Sequence, residues 1–502
     1  MGTQPDRPSD RTLRYAAGFL LLFAAGFVFV SGRSFWLDEV RSAAKAVQPT
    51  FAAFRAKLLE MGGSDVQMPL YMGALWAWAR AAGTSEWALR ALNLVFHGLA
   101  LLAIATERSL PRPLRLRWGA MLALAPLVAF YLDEARPYLL LVLGGTLVAA
   151  SMACPPPRGL PDARRVRLLL AGCVVLAAAS LTGAVFAAFP CLWLLLRAVR
   201  ARETGAALRR HPFAAPAAAL ALAALLAYYL WTLAEGFRGT HAYRTNLQTI
   251  GFCAYEFLGA AGFGPGRDAM RLQRWTKTLA AAAPAIVLTG AVWLSFAVAH
   301  RRVGPWRLRD LFRHPLFACT AAPAALLLAG GAAAHLRILG RHLIPALPAF
   351  ALAVAWCSDR VSRRGGAGGA DRAALAPAVL WLGSSLLLRF APVHAKDDDR
   401  GAAAFARAAA ESGERVWWGG DRWTFEYYPA PAGEAAARLV PWPDDPAAAT
   451  PPDLAVVSFR TDPGRDRDRF LLDAGFENDD TVSRALRGYH AARRPAPGGA
   501  GR

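Results

Sequence analysis

Two acidic clusters and one basic turn carry the residues that could do chemistry in this chain. Ser34-Phe35-Trp36-Leu37-Asp38-Glu39-Val40-Arg41 follows directly on the first long apolar run, and Asp133-Glu134-Ala135-Arg136-Pro137-Tyr138 closes a later one. Carboxylates are costly at membrane depth, so acids kept beside spans point to a wet cavity and to a functional site. Adjacent residues on a helix point about 100° apart. Asp38 and Glu39 therefore divide into a base and a structural partner, for which Arg41 or Arg136 is available. The basic turn is Arg337-Ile338-Leu339-Gly340-Arg341-His342, followed by Pro345 and Pro348. Arginine offers a fixed fork of donors to phosphate oxygens. Each cluster also has a plainer reading: acids at a helix N-terminus, a span ending in water, and cations snorkelling at a helix end.

The elements that must position these residues are mostly membrane spans. The 502 residues are 55% hydrophobic with mean hydropathy +0.27. Apolar runs recur at 15–31, 85–106, 117–132, 138–153, 166–181, 183–199, 212–232, 277–299, 315–334, 342–358 and 374–391. Each is near the ~20 residues that a span needs, which gives about eleven transmembrane helices. The first run is read as a retained helix rather than a cleaved signal peptide, because many spans follow it. Every second loop is basic, counting from an N-terminus with Arg7, Arg11 and Arg14: residues 107–117, 154–167, 197–211, 300–314 and 359–373 all carry several Arg. The positive-inside rule makes those loops cytoplasmic. Asp38, Asp133 and the Arg337–His342 turn then share the outer side.

The outer loop 32–84 holds two helical patterns. Phe51, Phe54 and Leu58 give Ala43–Met61 an amphipathic spacing. Pro69 to Ala82, punctuated by Pro at its start and Gly83 at its end and containing two Trp, reads as an interfacial helix. After residue 391 the composition changes. A helix-like Ala402–Ser412 and β-rich pieces at Arg415–Gly419 and Asp453–Phe459 describe a small α/β domain over 392–490, with a disordered tail at 491–502. The chain thus divides into an all-α polytopic membrane domain, 1–391, and a small C-terminal α/β domain on the outer side.

The net charge of +21 does not imply nucleic acid, since the basic residues lie between apolar runs and no nucleic-acid motif occurs. No nucleotide-binding loop or HExxH is present. The six cysteines form no CxxC pair, which disfavours a disulfide scaffold. No metal-binding set of His, Cys or carboxylates stands out, which leaves a divalent cation open and no cofactor assigned.

These residues resemble the GT-C-fold glycosyltransferases of the protein-mannosyltransferase and aminoarabinose-transferase type (family 39). Phe35-Trp36-Leu37-Asp38-Glu39 resembles the acidic motif of that family's first loop. Pro69-Leu70-Tyr71, Gly83-Thr84-Ser85-Glu86-Trp87-Ala88-Leu89-Arg90 and Glu134-Ala135-Arg136-Pro137-Tyr138 resemble the segments that follow it. Arg341-His342 through Pro348 is similar to a late Arg-Tyr…Pro…Pro segment. The likeness covers roughly residues 15–400. Gln67-Met68-Pro69, Thr182-Gly183 and His342 depart from the usual His-Pro-Pro, Thr-His and Tyr, so sugar, acceptor and metal are not carried over.

The resemblance implies an enzyme of the bacterial inner membrane. It would move a sugar from a polyprenyl-phosphate donor to an envelope lipid, glycan or protein on the outer face. Asp38 is then the expected general base of an inverting displacement, with Glu39 in support. Arg337, Arg341, His342 and Arg136 are expected at the donor phosphate. Asp133, Glu134, Tyr138, Tyr71 and Arg90 are expected around the substrates. A transporter or flippase of envelope lipids or solutes is the competing class. It predicts acids mid-span and repeat symmetry, and neither is evident in the sequence.

Overall fold

Each of the eleven apolar runs folds as helix in the computed structural model, which describes residues 8–156, 159–201, 212–237, 245–266, 275–303, 313–364, 369–459 and 466–495. Among the described residues, eight helices are long and apolar enough to cross a membrane. The chain is accordingly a multi-pass membrane protein. A ninth span results if Arg112–Ala123 and Pro126–Leu132, bent by 57°, are counted together. The bend falls where Pro126 lacks the N–H that would continue the helix. The helices Tyr138–Met152 and Ala163–Ala179 are 15 and 17 residues long, so length and composition alone do not reach eleven. Parts of the basic loops at 197–211, 300–314 and 359–373, parts of the loop 233–276, and residues 496–502 of the expected disordered tail lie outside the described residues.

In chain order the helices are α1 (Pro8–Phe29), α2 (Leu37–Ala46), α3 (Phe51–Met61), α4 (Pro69–Ala82), α5 (Glu86–Ala105), α6 (Arg112–Ala123), α7 (Pro126–Leu132), α8 (Tyr138–Met152), α9 (Ala163–Ala179), α10 (Leu181–Arg200), α11 (Ala214–Ala234), α12 (Leu247–Leu258), α13 (Trp275–Arg302), α14 (Pro315–Ala333), α15 (Gly340–Leu343), α16 (Leu347–Arg364) and α17 (Gly369–Phe390). Four further helices, α18 (Asp399–Glu411), α19 (Glu434–Arg438), α20 (Asp466–Asp473) and α21 (Asp480–Ala485), belong to the polar tail.

The chain divides into two compact units. The first comprises residues 1–30, 62–74 and 90–394. Its central helices α5 and α16 are mostly buried, whereas α1, α11 and α13 keep apolar side chains such as Leu20, Leu220 and Val287 exposed, as lipid-facing helices do. Close approach relies on small residues. A Cβ at Gly172 of α9 would come within 3.0 Å of the Gly144 carbonyl on α8. A Cβ at Gly145, one residue on, would collide with the Pro345 carbonyl. Trp118 Nε1 of α6 donates to the Pro348 carbonyl at 2.9 Å. The chain just beyond the arginine turn is thereby seated on α6 and α8.

The second unit comprises residues 31–61, 75–89 and 395–502. The outer loop is not one amphipathic helix over 43–61. It is α2 and α3, interrupted at Val47–Thr50, where Pro49 supplies no donor. The interfacial helix expected at 69–82 forms with those bounds as α4. Phe51 and Phe54 of α3 pack on Trp76 of α4, with ring centroids 5.3 and 6.0 Å away. The polar tail folds as a five-stranded sheet of β1 (Val416–Gly419), β2 (Leu439–Pro441), β3 (Leu454–Ser458), β4 (Glu477–Asn478) and β5 (Tyr489–Arg493), in the order β2-β1-β3-β5-β4. β1 is parallel to β2 and β3, while β5 is antiparallel to β3 and β4. Trp417, Ala455, Val457, Leu471, Phe476 and Ala492 form its core. The sequence boundary at 490 falls inside β5, whose Tyr489–Arg493 pairs along the whole of β3.

Candidate functional site

The acidic helix α2 begins at Leu37, and Trp36 at its N-cap has no side-chain capping bond. The Glu39 and Val40 amides instead reach the Trp36 carbonyl at 2.8 and 3.0 Å. Asp38 and Glu39 thus occupy the first turn, where the partial positive charge of the helix end favours carboxylates. The angular offset between neighbours separates them. Glu39 is fully buried and Asp38 is half-buried. The Glu39 carboxylate accepts from Lys396 Nζ at 3.2 Å. Its partner is therefore a lysine of the polar tail and not Arg41. Arg41 instead donates Nε to Asp421 Oδ2 at 2.8 Å and places a second guanidinium nitrogen on the same oxygen. Asp421 in turn accepts the Trp423 amide at 2.9 Å.

Within the other unit the Asp133–Pro137 turn follows α7, and its charges are nearly all buried. Arg90, with no exposed surface, sets Nε 3.8 Å from Asp133 Oδ1. Asn93, one turn along α5, donates Nδ2 to the carbonyls of Tyr131, Leu132 and Glu134 at 3.1, 3.4 and 2.5 Å. The Arg136 guanidinium pairs with Asp65 and reaches Ser64 Oγ at 3.2 Å. Arg136 and Asp65 are 4% and 3% exposed. Such a pair braces the turn against the short 3₁₀ segment Gly63–Gln67. That engagement fits Arg136 better as a brace than as a phosphate ligand. Tyr71 and Tyr138 are likewise buried. Tyr71 sits 6.5 Å from the Phe96 ring and Tyr138 sits 4.2 Å from Tyr131.

The arginine turn is shaped by α12 and the residues before it. His335 adopts a left-handed backbone at φ 58°, uncommon for a residue with a side chain. Thr245 Oγ1 donates to the Leu336 carbonyl at 2.5 Å and accepts the Ile338 amide at 2.9 Å. The Leu339 amide donates to His342 Nδ1 at 2.9 Å. An accepting Nδ1 puts the imidazole proton on Nε2. Gly340 lies against the buried Glu256 of α12. A Cβ there would fall on the carboxylate and stand 3.3 Å from Glu256 Cδ. Arg337, Arg341 and His342 themselves remain partly exposed.

The structure therefore brings Asp133, Arg90, Glu134 and Arg136 into one braced turn. It holds Arg337, Arg341 and His342 together on another turn of the same unit. Asp38 and Glu39 belong to the second unit. Sequence reasoning missed Lys396, Asp421, Asp65, Thr245 and Glu256. Lys396 had a signal, as one of four lysines in a chain with 57 Lys and Arg. Among the described residues no group of three or more His, Cys, Asp or Glu is arranged to hold a metal ion.

No protein-family model matches the chain, and no curated protein matches it. Solved structures do. ArnT from Cupriavidus metallidurans bound to undecaprenyl phosphate superposes with a TM-score of 0.52 at 14% identity, over 98% of this chain and 99% of that one. The apo structure of the same protein gives 0.52 and 14%, over 97% and 98%. The likeness runs nearly the whole length of both chains. The chain has the ArnT fold, which is the GT-C fold that the sequence motifs pointed to.

Proposed function

We propose that this chain is a polyprenyl-phosphate-dependent glycosyltransferase of the bacterial inner membrane, with its site and C-terminal domain on the outer face. The single observation that carries the donor class is the end-to-end likeness to a protein solved with undecaprenyl phosphate. The charged residues of this chain have the chemistry that such a reaction needs.

The acceptor hydroxyl oxygen attacks the anomeric carbon as the bond from that carbon to the phosphate oxygen breaks. The electron pair leaves with the phosphate, and one displacement inverts the anomeric centre. Asp38, partly exposed at the start of α2, takes the hydroxyl proton, help that is typically worth 10²–10⁴-fold. Arg337, Arg341 and the Nε2–H of His342 meet the charge growing on the phosphate. Glu39, held by Lys396, fixes the helix that carries Asp38. The Arg90–Asp133 and Arg136–Asp65 pairs keep their turn rigid, with Glu134, Tyr138 and Tyr71 packed about it. The acceptor is an envelope lipid, glycan or protein.

The test is transfer by membranes containing the full chain, given labelled undecaprenyl-phosphate-linked aminoarabinose, mannose and glucose. Loss of label from one donor to an envelope acceptor, absent without the chain, is the expected result. Label kept on every donor, with the chain present and folded, overturns the reading.

A further inference from the structure

The ten-residue helix α2 has charges that suit its ends but is short for a helix that must stand by itself. It has no side-chain N-cap. Isolated helices shorter than about 12–15 residues are marginal in water. Its order must come from packing, and the polar tail supplies the links. Lys396 pairs with Glu39 at 3.2 Å, and Asp421 takes Arg41 in a two-nitrogen contact. Glu426 pairs with Lys57 of α3 at 3.0 Å. At the entry to the helix, the Phe35 amide donates to Tyr428 Oη at 2.9 Å and Ser34 Oγ accepts the Arg400 amide at 2.8 Å. These five tail residues come from two segments, 396–400 and 421–428. The second follows directly on β1, a strand flanked on both sides in the sheet.

We propose that the C-terminal domain is the positioning module of the acidic helix. In it Asp421 acts through Arg41, and Lys396 acts through Glu39, to hold Asp38 in place. This rests on the reading of Asp38 as the base. It gives the tail a role in the rate of the chemical step rather than in acceptor capture. Asp421 and Lys396 touch no reacting atom and are positioning residues.

The experiment uses the full chain carrying Arg41→Ala, Asp421→Ala or both. Its probes are polyprenyl-phosphate-linked mannose, glucose and aminoarabinose. Hydrogen exchange of the amides of residues 37–46 is followed in parallel. Each single variant is expected to lower kcat about tenfold or more with donor KM within about twofold. The double variant should fall no lower than the worse single one, as coupled partners do. Exchange over 37–46 should quicken in all three. Arg41→Ala removes a partly exposed side chain and leaves the sheet intact, so the test survives if Asp421→Ala misfolds. Unchanged exchange overturns the proposal, and so does faster exchange with unchanged kcat. If the parent chain transfers no sugar, the transferase reading falls. The exchange measurements then decide separately whether the tail holds the helix.

Discussion

Lys396 and Glu39, 357 positions apart in sequence, form an ion pair at 3.2 Å with side chains 10% and 0% exposed. Removing one member of a buried ion pair takes a contact from the other charge and costs up to roughly 3–5 kcal/mol. Lys396→Met should therefore be strongly destabilising for the second unit, read as a fall in the thermal midpoint of the purified chain and faster exchange over α2. Lys396→Arg should recover only part of the loss, because a planar fork does not replace a compact ammonium in an enclosed site. A midpoint within error of the parent for Lys396→Met would show that Glu39 does not depend on the pair.

Asp38→Asn keeps the size and first-turn position of the side chain while removing the base. Transfer should drop by about 10²–10⁴-fold in kcat with expression and thermal midpoint unchanged. Full activity in that variant sinks the assignment of the base. Low activity with a collapsed midpoint would make Asp38 structural.

Eight of the eleven expected spans, or nine with the bent pair, were legible because about 20 apolar residues are written locally. α4 was legible to the residue, since Pro69 and Gly83 mark its ends. The partners of the charged clusters were not. Arg41 lies two residues from Glu39 in sequence, yet its guanidinium reaches Asp421, 380 residues away. Glu39 turns to a lysine hidden beside Asp397, Asp398 and Asp399. Periodicity reports which face of a helix is apolar, not which distant charge will meet it. The split at Val47–Thr50 could have been read from Pro49. The role of Gly340 could not, because the reason for it is the carboxylate of Glu256, 84 residues earlier.

The second unit should weaken in alkali. Burial, with the Asp399 carboxylate beside it, pushes the Tyr489 phenol well above its usual value, and burial does the same to Tyr428. Glu426 and Glu60 raise Lys57 against its own desolvation. In each case the folded chain keeps a proton that the unfolded chain gives up. The stabilisation is therefore complete below pH about 10 and is lost as pH climbs through the raised values. Tyrosinate absorbance of the parent minus that of Tyr489→Phe isolates the one phenol. It should titrate well above the range of a free phenol, and a transition near pH 10, the ordinary phenol value, would contradict the buried Tyr489–Asp399 pair.

Gly340→Ala places a methyl group on the Glu256 carboxylate. Overpacking of this kind costs typically about 1–3 kcal/mol, and here the strain falls on the turn that carries Arg337 and Arg341. Weaker binding of polyprenyl phosphate is expected, with relief when Glu256→Ala is added. Parent-like binding in Gly340→Ala would mean that the turn yields without cost.

Arg341 and Arg136 should separate by the quantity that each controls. Arg341 is partly exposed on a turn that Thr245 bonds and that lies against Glu256 at Gly340. A charge-assisted contact to phosphate is worth about 2 kcal/mol, or roughly thirtyfold in Kd. Arg341→Met should thus weaken polyprenyl-phosphate binding by about that factor in the protein that remains folded. Arg136 is buried on Asp65 and Ser64. Arg136→Met should lower the midpoint, since it removes a buried ion pair with Asp65, while the protein that remains folded binds the lipid phosphate with near-parent affinity. The reverse pattern, with binding lost in Arg136→Met at an unchanged midpoint, would move the phosphate site from the arginine turn to the Asp133 turn.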